Sequence, residues 1–138
     1  MPADDLFAGV PYAYAAVAPP GSTLFTAGAC PLDAGGVVVH PGDHRAQAER
    51  AVANLLAVLA RSGAGAGDLV RTTVYVVGSR EDLGAVWDVV AAGLAPHRPP
   101  STLLGVSVLG YRDQLVEIDG IARLPGERPV SEVPGAPW

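Results

Sequence analysis

The stretch LVEIDGIA, residues 115–122, constrains this chain more than any other feature, because it alternates strictly. Successive side chains of a β-strand point to opposite faces. Leu115, Glu117, Asp119 and Ile121 therefore share one face, and Val116, Ile118, Gly120 and Ala122 share the other. One face is apolar and the other carries two carboxylates. A strand patterned this way belongs to a sheet packed on one side. Two roles are open to the acids. They form a solvated or salt-bridged sheet face, or they line a partly dry groove where a carboxylate passes protons to and from a bound water or small molecule.

The rest of the chain supplies the other elements. YAYAAVA (12–18) and STLFTAGAC (22–30) flank Pro19-Pro20-Gly21, the turn residues of a hairpin, and Gly35-Gly36 before three valines predicts a further short strand. Ala48, Ala51, Val52, Leu55, Val58 and Leu59 recur at helical spacing, with Asp43 as N-cap and Gly63 just past the end. DLVRTTVYVV (68–77) is rich in β-branched residues and predicts a buried strand. Ser79 and Asp82 form a capping-box pattern ahead of the stripe Leu83, Val86, Trp87, Val90 and Leu94, which Pro96 stops. Two strands within residues 97–122 close the chain. This order predicts an α+β arrangement, one mixed sheet with two helices packed on one face and something else covering the other.

Composition limits function. One core, and so one domain, suits 138 residues. Only 17% of residues are charged against 49% hydrophobic, so apolar surface is expected to be hidden by self-association. A net charge of −5 without a Lys/Arg cluster argues against nucleic acid. No apolar run approaches membrane-spanning length, and MPADDLFAGV lacks the order of a signal peptide. A cytoplasmic protein without membrane contact is expected. The lone Cys30 suits a reducing compartment and, with no activator in sequence, is expected to be a small buried apolar residue. GAGAG (63–67) leaves a helix and enters a strand, the reverse of a dinucleotide loop, so no cofactor is expected there. His40 and His44 are separated by Pro41-Gly42 and have no third ligand nearby. They are expected to be exposed loop residues, with no metal. Trp87 lies on a core stripe or beside a subunit contact.

Four segments in order, FTAGACPLD, AQAERAVANLLAVLARSGAGAGDLVRTTVYVV, VWDVV and PPSTLLGVSVLGYRDQLVEIDGIA, resemble the Rid (reactive intermediate deaminase, YjgF-like) family, from about Pro11 to Arg123. The resemblance implies a chorismate-mutase-like fold over residues 1–124, followed by an irregular tail over 125–138. It also implies a homotrimer with small-molecule clefts between subunits. The implied chemistry is hydrolysis or rearrangement of an enamine or imine, without a cofactor. Glu117 matches the carboxylate that handles water, and Gly28 matches a glycine whose neighbouring backbone meets ligand. Either Tyr12 or Tyr14 matches the family tyrosine. Trp87, Leu103 and Asp119 are expected to line the cleft. Where the family pattern has an arginine that clamps a substrate carboxylate, this chain has Ser101. Arg98 is displaced from that register, and Arg71 and Arg112 are the other cations able to replace it. The implied pocket is more apolar and less cationic than usual. A metabolite-binding trimer without turnover is the alternative function, and endoribonuclease activity is least favoured by the charge.

Overall fold

The computed structural model describes Pro11 and residues 20–124. Its elements are β1 (Ser22–Phe25), α1 (His44–Arg61), a 3₁₀ turn (Ala66–Asp68), β2 (Leu69–Val76), α2 (Arg80–Leu94), β3 (Ser101–Gly105) and β4 (Val116–Leu124). The helix boundaries follow from local chemistry. The Asp43 carboxylate accepts a hydrogen bond from the Ala46 amide at 3.0 Å, satisfying a free donor of the first turn of α1. Gly63 takes φ +80° just beyond the Ser62 cap, a left-handed conformation that a glycine adopts at little cost. Ser79 and Asp82 form the expected capping box of α2.

The four described strands form one mixed sheet in the order β1-β4-β2-β3. β4 lies antiparallel to both neighbours, and β2 lies parallel to β3, a pairing that the α2 crossover allows. Both helices cover one face. Ala48, Ala51, Val52, Leu55 and Leu59 of α1 and Val86, Val90 and Leu94 of α2 are buried with Val74 and Val76 of β2 and Val116, Ile118 and Ala122 of β4. Alternation along β4 therefore runs as the sequence predicts. Among the described residues no element covers the opposite face, which is mixed rather than purely apolar. Phe25 (71% exposed) and Leu104 (42% exposed) share it with Arg71, Thr73, Tyr75, Glu117 and Asp119.

The predicted strand over 22–30 is shorter in the structure, and the reason bears on the site. Phe25 pairs with Ile121, but the next isolated bridge joins Ala29 to Ile118. Four residues advance on one chain against three on the other, so one extra residue is accommodated in the manner of a β-bulge. The ladder breaks there, and every later side chain on that segment changes face. The short strand expected after Gly36 is only a single bridge, Leu32 to Val38. The predicted strand 12–18 and the tail 125–138 lie outside the described residues.

Leu55 is fully buried, facing β4 from the middle of α1. Leu55→Ala is expected to cost about 2–5 kcal/mol of stability. Urea unfolding checks this as a lower midpoint with an unchanged slope.

Candidate functional site

The uncovered sheet face carries both acids. Tyr75 lies opposite Glu117 and Thr73 opposite Asp119 across the β2/β4 pair. Neither carboxylate has a cationic partner within 4.0 Å among the described residues, where the only ion pairs are His44–Asp82 and Arg45–Asp88. Hydrogen-bond donors answer them instead. The Tyr75 hydroxyl donates to Asp119 Oδ2 at 3.0 Å. Glu117 Oε1 accepts from the Cys30 thiol at 3.0 Å and from Gln114 Nε2 at 3.3 Å. Burial first, and the Glu117 carboxylate second, push the Cys30 thiol up to about 12, so it is protonated at neutral pH. Burial and the Asp119 hydrogen bond likewise raise Tyr75, which also stays a donor.

Cys30 is thus half-buried and bound to an acid, not the small apolar residue expected from sequence. The one-residue slip after Phe25 is responsible, because it sets Cys30, next to Ala29, alongside Glu117, next to Ile118. Gly28 completes the arrangement. A Cβ built on it would lie 2.6 Å from the Glu117 carboxyl carbon and 2.7 Å from Oε2, so the carboxyl group fills the space a side chain would need.

Helix α1 holds the two irregular segments that bring these groups together. Gln47, fully buried, donates to the carbonyl of Asp113 at 2.9 Å and to that of His40 at 3.3 Å, while its Oε1 accepts from the Leu115 amide at 2.8 Å. Asn54 donates to the carbonyls of Cys30 (2.8 Å) and Leu32 (3.0 Å), and Arg50 donates to Leu32 as well. Gln114 is 3% exposed, and its amide also reaches the Val116 carbonyl at 3.1 Å.

Ser101, Leu103 and Trp87 gather elsewhere. Ser101 pairs with Thr72 and Leu103 with Val74, both of whose side chains face the helices. The Ser101 hydroxyl is bonded to the Thr72 hydroxyl and to the Pro99 carbonyl. With Pro11, Trp87 and Thr102, these residues line a cavity of about 440 Å³. Ser101 and Leu103 share a strand face, as expected, but that face is opposite to the one bearing Glu117, and β2 lies between the two strands. Within one protomer the two groups of residues form separate sites. Of the candidate cations, Arg71 donates to Thr102 Oγ1 at 2.9 Å on the uncovered face. Arg98, displaced by sequence register, lines a small cavity with Ser101 and Trp87. Arg112 is exposed in the loop before β4. Tyr12 and Tyr14 lie outside the described residues.

His44 also differs from expectation. It opens α1, half-buried, with Nε2 2.7 Å from the Val77 carbonyl and Nδ1 3.6 Å from Asp82. His40 is exposed, as expected. Among the described residues no group of three His, Cys, Asp or Glu is placed to hold a metal ion, and no helix is long and apolar enough to cross a membrane.

Residues 4–124 match the family model described as endoribonuclease L-PSP. The chain belongs to this family, that of the Rid proteins. Among its relatives is protein DfrA of Myxococcus xanthus, 37% identical over 112 residues, covering 81% of this chain and 84% of DfrA. A Rid-family protein of Yersinia pestis, YyfB, superposes with a TM-score of 0.82 at 30% identity over 90% of this chain and 96% of that one. Escherichia coli TdcF, whose structure contains bound serine, superposes with a TM-score of 0.67 at 26% identity, covering 83% of this chain and 95% of TdcF. The chain therefore has the Rid-family α+β fold.

Sequence reasoning singled out Glu117, Asp119 and Gly28 but not their partners Gln114 and Tyr75, nor the stabilising role of Gln47, Arg50 and Asn54. A signal for the last three was present: polar side chains at i, i+3 and i+7 share one stripe of a helix. Gly28→Ala forces a methyl group into the Glu117 carboxyl, and overpacking of this kind costs about 1–3 kcal/mol. A lowered melting temperature for that variant, beside an unchanged one for Gly110→Ala in open space at an ordinary φ, is the expected result.

Proposed function

We propose that this Rid-family protein hydrolyses an imine or enamine whose reacting carbon bears no carboxylate, with Glu117 as general base and acid. The observation that carries this reading is the state of Glu117. Its carboxylate is held by two neutral donors, lies on an uncovered sheet face and has no cationic partner among the described residues. Glu117 is committed to no ion pair among the described residues, and neutral donors set its geometry, which is the arrangement a general base needs to meet a water or a substrate. In this reading Glu117 takes a proton from water as the oxygen adds to the imine carbon. It returns that proton to nitrogen, giving a carbinolamine, then takes the carbinolamine hydroxyl proton and passes it to the same nitrogen as the C–N bond breaks, giving a carbonyl compound and ammonia.

The described residues lining the Trp87, Ser101 and Leu103 cavity are uncharged, which supports a substrate with an apolar or aromatic portion, in agreement with Ser101 standing at the position the family resemblance gives to arginine. The Glu117 side chain and those of Ser101 and Leu103 lie on opposite faces of one sheet with β2 between their strands, so a reaction that uses both draws on a second copy of the chain. A homotrimer with clefts between protomers meets that need and hides Phe25 and Leu104. The bound serine of TdcF supports a small-molecule ligand for this fold. The family model's ribonuclease description is disfavoured here by the net charge of −5. Ser101 in the arginine position favours one second reading, a trimer that binds a small metabolite without turnover.

The test is a turnover screen of imines and enamines with and without a carboxylate. Substrates lacking the carboxylate are expected to be preferred. Efficient hydrolysis of 2-imino acids would overturn the substrate assignment and point to a cation such as Arg98. Glu117→Gln is expected to lower kcat by about 10²–10⁴, the usual contribution of general acid-base catalysis, with unchanged melting. No turnover of any member by the wild type would favour the binding reading. Light scattering is expected to give three times the chain mass, and a monomer at micromolar concentration would remove the shared cleft.

A further inference from the structure

We infer that Cys30 is a positioning residue which, together with Gln114, fixes one oxygen of Glu117 and so confines proton transfer to the other. The inference rests on the proposed role of Glu117 and goes beyond it by naming the reacting atom and the groups that select it. Both donors converge on Oε1, the thiol at 3.0 Å and the Gln114 amide at 3.3 Å. Oε2 lies instead over the bare backbone of Gly28, where the missing side chain leaves it room.

The two oxygens are therefore chemically distinct. A proton on Oε2 leaves Oε1 a carbonyl oxygen that still accepts both hydrogen bonds. A proton on Oε1 would oppose two donors at once. The network thus survives protonation at Oε2 alone, and the carboxyl group keeps its orientation in both states of a reaction cycle. Both donors are themselves held in place. Asn54 binds the Cys30 carbonyl at 2.8 Å, and Gln114 Oε1 accepts from the Tyr111 amide at 3.1 Å. Among the described residues, the charged or titratable groups near Glu117 are Cys30 on the segment before α1, Tyr75 across the strand pair and Asp119 along β4. None of these is a cation. Cys30 acts only as a donor, because burial first and the neighbouring carboxylate second keep the thiol protonated, and a protonated thiol is a poor nucleophile at neutral pH.

The chain contains one cysteine, so alkylation reports on Cys30 alone. The first arm of the test compares iodoacetamide modification of wild type and Glu117→Gln at pH 9, read by mass spectrometry. Removing the carboxylate is expected to speed alkylation about tenfold by releasing more thiolate. An unchanged rate would overturn the contact. This arm needs no substrate. The second arm measures kinetics on whichever imine or enamine the wild type turns over. Cys30→Ala is expected to lower kcat about tenfold with KM little changed, the size of one lost hydrogen bond to a charged group. Cys30→Ser is expected to restore most of it, because a hydroxyl also donates. Full activity in Cys30→Ala, or no rescue by serine, would overturn the positioning role. A wild type inert towards every imine and enamine would refute the proposed reaction and the catalytic part of this inference, while the alkylation arm would still decide whether Cys30 holds Glu117.

Discussion

The candidate site depends on a stripe of polar side chains along α1. Backbone carbonyls in irregular segments must find donors when they are buried, and here they find Gln47, Arg50 and Asn54. These residues stand at i, i+3 and i+7 of one helix, so their spacing is as rigid as the helix itself. They tie the segment carrying Cys30 and the loop carrying Gln114 to the same support. Residues that would otherwise ride on loops are thereby fixed against β4. Gln47 is the most constrained of the three. Fully buried, it uses both its amide nitrogen and its oxygen on the backbone of the chain leading into β4.

The same preference for neutral donors runs through the acidic face. An arginine beside Glu117 or Asp119 would have offset their charge with an ion pair. The chain sets a thiol, an amide and a phenol there instead. Arg71, the cation on that face with a described bond, is engaged with Thr102. Neutral donors thus fix the geometry of the acids on this face, with weaker electrostatic stabilisation than an ion pair would give.

Much of the fold was legible in the sequence, because it rests on short-range rules. The Asp43 cap, the Gly63 terminus and the Ser79/Asp82 box each involve residues a few positions apart, and the structure has all of them. The alternation of β4 likewise assigned Glu117 and Asp119 to one face before any partner strand was known. The site was legible only where one residue carried the information. Gly28 and Glu117 were found singly, but their contact was not. His44 was taken for an exposed loop residue because its partners, Val77 and Asp82, lie more than thirty residues away.

The sequence by itself determined the α+β class, the helix boundaries, the two-faced character of β4 and the family, since periodicity, capping and motif order are properties of the chain alone. The tertiary structure decided which groups meet. A single extra residue between Phe25 and Ala29 turns Cys30 towards Glu117, and no local pattern records it, because a register slip is defined only relative to the partner strand. The sheet order likewise separated Ser101 from Glu117. Strand neighbours are chosen by how the whole sheet packs against its helices, so this separation became visible only once β2 was seen to lie between β3 and β4.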